Sequence, residues 1–304
     1  MKTILLTGAF PYTQEQILQI EQMELKVLYM QNESAELPVG VECAELTVCN
    51  GLFLHHPLEE LPALRMIQLT SAGLDRVPLE AIKAKGIQLF NARGVYSIPM
   101  AEWAVMRVLE FYKQATFFAV NQEKHSWEKH RGLKEINGKI VGIVGAGNVG
   151  GEVAKRFQCF GADCVGYDVF DVKSPFFSRV EKIDKFSEQI ESLDIVVLTA
   201  PHTPETHHMI DKSLLLKMKK DAVIVNIARG GLIDEKGMIE ALSERTDIKA
   251  ALDVFEVEPI VAESPLWDMQ NVAVSPHNSF VSDQNNARLF KLIKENIQLY
   301  LSKK

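Results

Sequence analysis

Cysteine is scarce in this chain of 304 residues: only Cys43, Cys49, Cys159 and Cys164, with no C-x-x-C pair. So few thiols cannot form a disulfide framework, and a reducing cytoplasm is the expected setting. No apolar run approaches the roughly 18 residues that cross a bilayer. Positive charge is also short, with Lys+Arg 33 against Asp+Glu 40 and a net charge of −7. That balance excludes a general nucleic-acid binder or a protein drawn to anionic membranes. Fixed-period repeats and low-complexity tracts are missing as well, which excludes a solenoid.

What is present is an ordinary globular composition, 47% apolar, with enough length for about two domains. The opening MKTILLTGAF has too short an apolar core for a signal peptide and reads as a first buried strand. Short apolar runs then alternate with helical patterns. Thr3–Leu6, Lys26–Tyr29, Leu46–Cys49, Met66–Thr70 and Ile87–Phe90 are candidate strands, with helices over Glu15–Met23 and Leu79–Ala84. The scheme repeats at Ile140–Val144, Cys164–Tyr167, Ile195–Leu198, Val223–Ile227, Ile248–Leu252 and Val272–Val274. Continuous apolar strands separated by helices predict parallel sheets covered on both faces, a doubly wound α/β architecture.

Two long helices flank the second region. One runs from Ala101 with Pro99 just before it, and a terminal one is marked by Phe290, Ile293, Ile297 and Leu301. A chain ordered in this way can return its last helix to the first domain. The expected domains are therefore 1–98 with 283–304, and 99–282 inserted between them.

The sharpest local signal is Gly145-Ala-Gly147-Asn148-Val149-Gly150, a G-x-G-x-x-G turn after an apolar strand and before a helical pattern. Gly145 permits the tight turn, Gly147 lets backbone approach a pyrophosphate, and Gly150 lets helix and strand pack closely. The helix start at Asn148 and Val149 supplies free N–H groups for phosphates. Asp168 ends the next strand, 18 residues after Gly150, near the spacing of a carboxylate that binds adenosine ribose hydroxyls. The bland alternative is a strand-end turn residue. No arginine follows immediately to accept a 2′-phosphate, so NAD is expected in preference to NADP.

Three later strand ends carry polar residues: Arg229 in Ala228-Arg-Gly-Gly231, the carboxylates of Asp253-Val-Phe-Glu-Val-Glu258-Pro259, and His277 in Ser275-Pro-His277. Ligands of open α/β sheets sit beyond the carboxyl ends of strands, so these groups can converge beside a nicotinamide. An arginine, a glutamate and a histidine are the parts a 2-oxo-acid reductase requires.

Taken with Ser71-Ala-Gly-Leu-Asp75 and Gly94-Val-Tyr-Ser-Ile-Pro-Met-Ala-Glu102, these motifs occur in one order over nearly the whole chain. The sequence resembles the D-isomer-specific, NAD-dependent 2-hydroxyacid dehydrogenase family. The resemblance implies a Rossmann-type cofactor domain, a smaller flavodoxin-like substrate domain, a substrate in the cleft between them and a homodimer paired through the cofactor domain. It implies that Arg229 holds the substrate carboxylate, that His277 exchanges a proton with the 2-oxygen, and that Glu258 orients His277, with Glu256 as the competing carboxylate. Asp253 would contact the nicotinamide carboxamide. Ala228, Thr203 and Thr206 would line the cofactor, although Thr and Pro at 203–206 also simply make turns. Ala72 and Gly73 would present N–H groups to the substrate carboxylate.

Trp103 and the stretch Phe117–Trp127 are the candidate dimer contacts, with burial within the chain as the alternative. His202, His207 and His208 have no carboxylate or cysteine at ligand spacing, so they read as loop residues and no metal is expected. After His277, where the family often continues with glycines, this chain has Asn278-Ser-Phe-Val-Ser-Asp283. Glutamate rather than glutamine before Pro259 argues against a formate dehydrogenase. The chain ends at Lys304, which argues against a regulatory domain of the kind found in controlled phosphoglycerate dehydrogenases. The expected activity is hydride exchange between NAD(H) and a small 2-oxo acid, narrowed as an alternative to glyoxylate or hydroxypyruvate reduction. A non-catalytic NAD-sensing protein of the same fold is the competing class, and the retained Arg229, Glu258 and His277 give it no support.

Overall fold

The structure, a computed structural model, describes residues 1–302. The chain divides into two compact units, Met1–Tyr96 with the residues from Ser282 onward, and Ser97–Val281.

The first unit holds β1 (Lys2–Thr7), α1 (Gln14–Glu21), β2 (Leu25–Met30), β3 (Ala44–Cys49), β4 (Met66–Leu69), α2 (Leu79–Ala84) and β5 (Gln88–Phe90). Its sheet has the order β2-β1-β3-β4-β5, with every neighbouring pair parallel. Thr13 starts α1 with a capping box, its side chain accepting from Gln16 N–H while the Gln16 side chain accepts from Thr13 N–H.

The second unit starts with α3 (Ser97–Lys113) and α4 (Ala115–Glu123) and continues through β6 (Ile140–Val144), α5 (Asn148–Cys159), β7 (Asp163–Asp168) and β8 (Arg179–Lys182). Then come α6 (Lys185–Gln189), β9 (Ile195–Leu198), α7 (Lys212–Leu216), β10 (Val223–Asn226), α8 (Glu235–Glu244), β11 (Lys249–Leu252) and β12 (Val272–Val274). These strands make one parallel sheet of seven, in the order β12-β11-β10-β9-β6-β7-β8. Alternation along each strand sorts its side chains to two faces. Val144, Val196, Leu198 and Ile224 join a core with Phe186, Leu215 and Met238, while Ile143, Ile195, Val197 and Val225 join one with Val108, Val153 and Phe157.

Three details differ from the sequence reading. Strand β8 was not expected, because Arg179-Val-Glu-Lys182 has the polar, half-exposed pattern of a protected sheet edge rather than of a buried strand. Helix α3 begins at Ser97, so Pro99 lies within its first turn, where an N–H has no intrahelical partner in any case. Its extension is a separate helix, because Gln114 adopts a left-handed conformation with φ 53° and breaks the run.

After the second unit the chain forms α9 (Asn285–Ser302). Its Leu289, Phe290, Ile293 and Ile297 pack with Ile4, Leu6, Ile20, Leu46 and Val48 of the first unit. Asn296 Nδ2 donates to Gln68 Oε1 at 2.6 Å, tying the helix to β4. All four cysteines are free, and burial pushes the Cys164 thiol up to about 12. No helix among the described residues is long and apolar enough to cross a membrane.

Ile293 is fully buried in α9. Its replacement by alanine is expected to cost about 2–5 kcal/mol through lost burial and a residual cavity, read by urea unfolding of the full chain. A change below about 0.5 kcal/mol, the range of unremarkable surface substitutions, would contradict the packing of α9 on this sheet.

Candidate active site

Strands β10, β11 and β12 are adjacent, parallel and in register, so their carboxyl ends finish at one edge of the sheet. The loops that follow them carry Arg229, Glu258 and His277. After β10, Asn226 is buried, and its side chain closes the turn: Nδ2 donates to the Arg229 carbonyl at 2.9 Å and Oδ1 accepts from Ala228 N–H at 3.1 Å. Gly230 abuts the next loop so tightly that a Cβ there would lie 1.9 Å from the Phe255 carbonyl. The Arg229 side chain is exposed. Its Nη1 donates to the Ala228 carbonyl at 2.8 Å, and it has no carboxylate partner among the described residues.

The loop after β12 is organised by Asp253, at the end of β11. Asp253 is fully buried, and its Oδ1 accepts from the Ser275 hydroxyl and from Asn278 N–H, the latter at 2.8 Å. Its Oδ2 accepts from Ser279 N–H at 2.8 Å, and its carbonyl accepts from His277 N–H at 2.8 Å. These bonds hold His277 at φ 50°, a left-handed conformation uncommon outside glycine and asparagine. With no accessible surface, Asp253 braces this loop through all of these bonds. His277 Nδ1 lies 2.8 Å from Glu258 Oε2, while Glu258 Oε1 accepts from Phe255 N–H at 3.0 Å. One ring nitrogen is thereby tied down, leaving Nε2 for other partners. Glu256, two residues earlier, faces a different histidine, its Oε1 2.6 Å from His208 Nε2.

The glycine-rich turn sits between β6 and α5. Gly145 has φ 96°, and a Cβ there would lie 2.6 Å from Ala200 N, so both conformation and space require glycine. At Gly150 a Cβ would lie 2.0 Å from the Gly145 carbonyl. Gly147 is the residue before α5 and offers no capping side chain, so the first N–H groups of that helix, from Asn148 and Val149 onward, have no side-chain cap. A compact, glycine-lined turn leading into an uncapped helix start fits a pyrophosphate. Asp168 Oδ2 accepts from Ala146 N–H at 2.7 Å and Oδ1 from Phe170 N–H at 3.0 Å. Each oxygen keeps acceptor capacity for a ribose hydroxyl. Thr199, which sequence reasoning missed, props this turn from the end of β9, donating to the Gly145 carbonyl at 2.6 Å.

The other residues expected along the cofactor also help to close their own loops. Thr206 is buried, and its hydroxyl accepts from Thr203 N–H at 2.8 Å and donates to the Pro201 carbonyl at 2.8 Å. Ala228 is buried with both backbone groups engaged in its own turn. One of the three histidines is not isolated from carboxylates: His208, Asp234 and Glu256 present ligand atoms within 4.8 Å of one another. Sequence spacing hid this because the carboxylates arrive from the loops after β10 and β11. In the first unit, Asn91 Nδ2 holds the Ala72 carbonyl at 2.7 Å and Ser71 Oγ holds the Gly73 carbonyl at 3.1 Å. The N–H groups of Ala72 and Gly73 have no partner among the described residues and are donors an anion would accept.

Replacing Asp253 by alanine removes the acceptor of one hydroxyl and two N–H groups in a buried setting. A loss of about 3 kcal/mol or more is expected, measured by denaturant unfolding. A near-wild-type midpoint would show that the loop stands without this carboxylate.

Residues 105–279, more than half of the chain, match the D-isomer specific 2-hydroxyacid dehydrogenase, NAD binding domain. The chain is 35% identical over 247 residues to a D-3-phosphoglycerate dehydrogenase of Methanocaldococcus jannaschii, covering 80% of this chain but only 47% of that longer protein. It is 32% identical over 248 residues to a glyoxylate/hydroxypyruvate reductase of Arabidopsis thaliana, covering 81% and 76% of the two chains. A crystal structure of a D-isomer specific 2-hydroxyacid dehydrogenase family protein from Aeromonas salmonicida is similar with a TM-score of 0.85 and 25% identity, covering 100% of this chain and 96% of that one. The chain belongs to the D-isomer specific 2-hydroxyacid dehydrogenase family.

Proposed function

We propose that this protein is an NAD-linked reductase of small 2-oxo acids, acting in reverse as a dehydrogenase of D-2-hydroxy acids. The observation that carries this reading is the His277–Glu258 contact of 2.8 Å, together with Arg229, which has no ion-pair partner among the described residues, all in loops after adjacent strands of one sheet. When bound, the nicotinamide supplies or accepts the hydride. Asn148 and Val149 at the helix start would hold its pyrophosphate and Asp168 its ribose. A carboxylate at 168 favours ribose hydroxyls over a 2′-phosphate, hence NAD over NADP.

Arg229 grips the substrate carboxylate through paired N–H donors and polarises the adjacent 2-oxo group. His277 gives its Nε2 proton to the oxygen that gains charge, and takes one from the hydroxyl in the reverse direction. Glu258 fixes the ring through Nδ1 and stabilises positive charge on it while the proton is held. Ala72 and Gly73 offer further N–H donors suited to a carboxylate.

The Arabidopsis relative, named for glyoxylate and hydroxypyruvate reduction, supports the narrower reading that the substrate is one of these small acids. The protein is assigned to the cytoplasm on the strength of its free thiols. A homodimer through the second unit is supported by an apolar groove of about 640 Å³ lined by Val105, Met106, Leu109 and Phe160, and by the exposure of Phe118 and Trp127.

Purified protein assayed with glyoxylate, hydroxypyruvate, pyruvate and a branched oxo acid should turn over one of the first two fastest, with NADH preferred to NADPH. His277→Ala should lower kcat by about 10²–10⁴-fold and leave NADH binding, followed by fluorescence, unchanged. Normal turnover in that folded variant removes the histidine from the mechanism. Saturable NADH binding without turnover of any acid replaces the reductase with a sensor.

Light scattering coupled to size exclusion should give a mass of two chains at micromolar concentration, reduced to one by Met106→Glu. A monomeric wild type contradicts the dimer.

A further inference from the structure

A second constellation lies at the same sheet edge and is not used by the chemistry above. His208 comes from the loop after β9, Asp234 from the residue that caps α8 after β10, and Glu256 from the loop after β11. One ligand atom from each lies within 4.8 Å of the others. His208 Nε2 is shielded from solvent and 2.6 Å from Glu256 Oε1, yet it is out of line for an N–H···O bond. The ring stands in contact with a carboxylate without a hydrogen bond to justify the approach.

The surroundings concentrate negative charge on this nitrogen. Glu235 and Glu256 exchange backbone contacts, each carboxylate accepting from the other's N–H at 3.2 Å. Two carboxylates, those of Asp234 and Glu256, therefore crowd one imidazole. Two more imidazoles stand beside it: His207 stacks on His208 with centroids 3.8 Å apart, and His202 Nε2 bonds His207 Nδ1 at 3.0 Å.

We propose that His208, Asp234 and Glu256 form a binding site for a divalent metal ion of the zinc type. One imidazole and two carboxylates is a ligand set suited to zinc, at about 2.1 Å from each ligand atom. Magnesium and calcium take oxygen ligands and make little use of an imidazole. The backbone already holds the three segments close. His208 N–H donates to the Gly231 carbonyl at 2.8 Å, and Asp234 N–H to the Ile210 carbonyl at 2.9 Å. Asp234 Oδ1 accepts from Gly237 N–H at 3.1 Å, which orients the carboxylate. An ion at this place clips three loops together directly behind the 229–231 turn.

The test is calorimetric titration of the chelator-stripped full chain with zinc chloride alone, and with magnesium chloride as the comparison. One zinc per chain is expected, with no saturable magnesium binding. His208→Asn and Glu256→Gln should each weaken zinc binding by at least tenfold, while Asp234→Asn, which keeps the helix cap, should weaken it without loss of fold. His56→Asn, at a histidine–glutamate pair in the first unit, should leave it unchanged. Cobalt(II) in place of zinc should give a visible absorption band that the His208→Asn variant lacks. Absence of saturable zinc binding up to millimolar concentration overturns the proposal. So does binding that survives all three substitutions undiminished, or that His56→Asn abolishes.

Discussion

The buried carboxylate of Asp253 is the constraint on which the candidate site depends. A charge removed from water must be matched by donors, and this one draws them from a single loop: the Ser275 hydroxyl and the N–H groups of Asn278 and Ser279. Those donors lie on both sides of His277, so satisfying them forces the histidine backbone into its left-handed turn. The parallel register of β10, β11 and β12 then places the resulting ring beside the loop that carries Glu258. A residue whose backbone is held in a sparsely populated conformation by over-determined contacts presents its side chain in a pre-organised way.

The same economy governs the Glu256-Val-Glu258 segment. Its two carboxylates serve two histidines, Glu258 facing His277 and Glu256 facing His208. A single loop after β11 therefore links the His277–Glu258 pair to the histidine cluster. Asn226 and Thr199 do comparable work at the ends of β10 and β9, each a polar residue at the mouth of an apolar strand and each bonded to the turn beyond it.

The periodic apolar runs made most of the fold legible in sequence, because strands buried on both faces leave a continuous signature. Strand β8 left none, since a sheet edge is stabilised by charge and twist rather than by burial. The break at Gln114 was equally silent, as no residue type there announces a left-handed turn. For the site, Gly145, Gly150, Arg229, Glu258 and His277 could be placed from their motifs. What could not be seen was that Glu256 meets His208, or that Asp253 and Thr206 have their polar atoms engaged inside the loops. Those outcomes depend on contacts between segments tens of residues apart, and nearest-neighbour spacing carries no trace of them. His208 shows the cost most clearly: its carboxylate neighbours, Asp234 and Glu256, exist only in three dimensions.

Gly230 has a consequence for how this sequence can change. Its α-carbon touches the backbone at Phe255 and Glu256, so two loops that carry different chemical groups meet without any side chain between them. Variation at 230 cannot be local. Any added atom drives the arginine turn and the double-glutamate loop apart together, so drift here is filtered by two functions at once. A library built on these loops would gain more by leaving that position fixed and varying residues whose displacement moves one loop only.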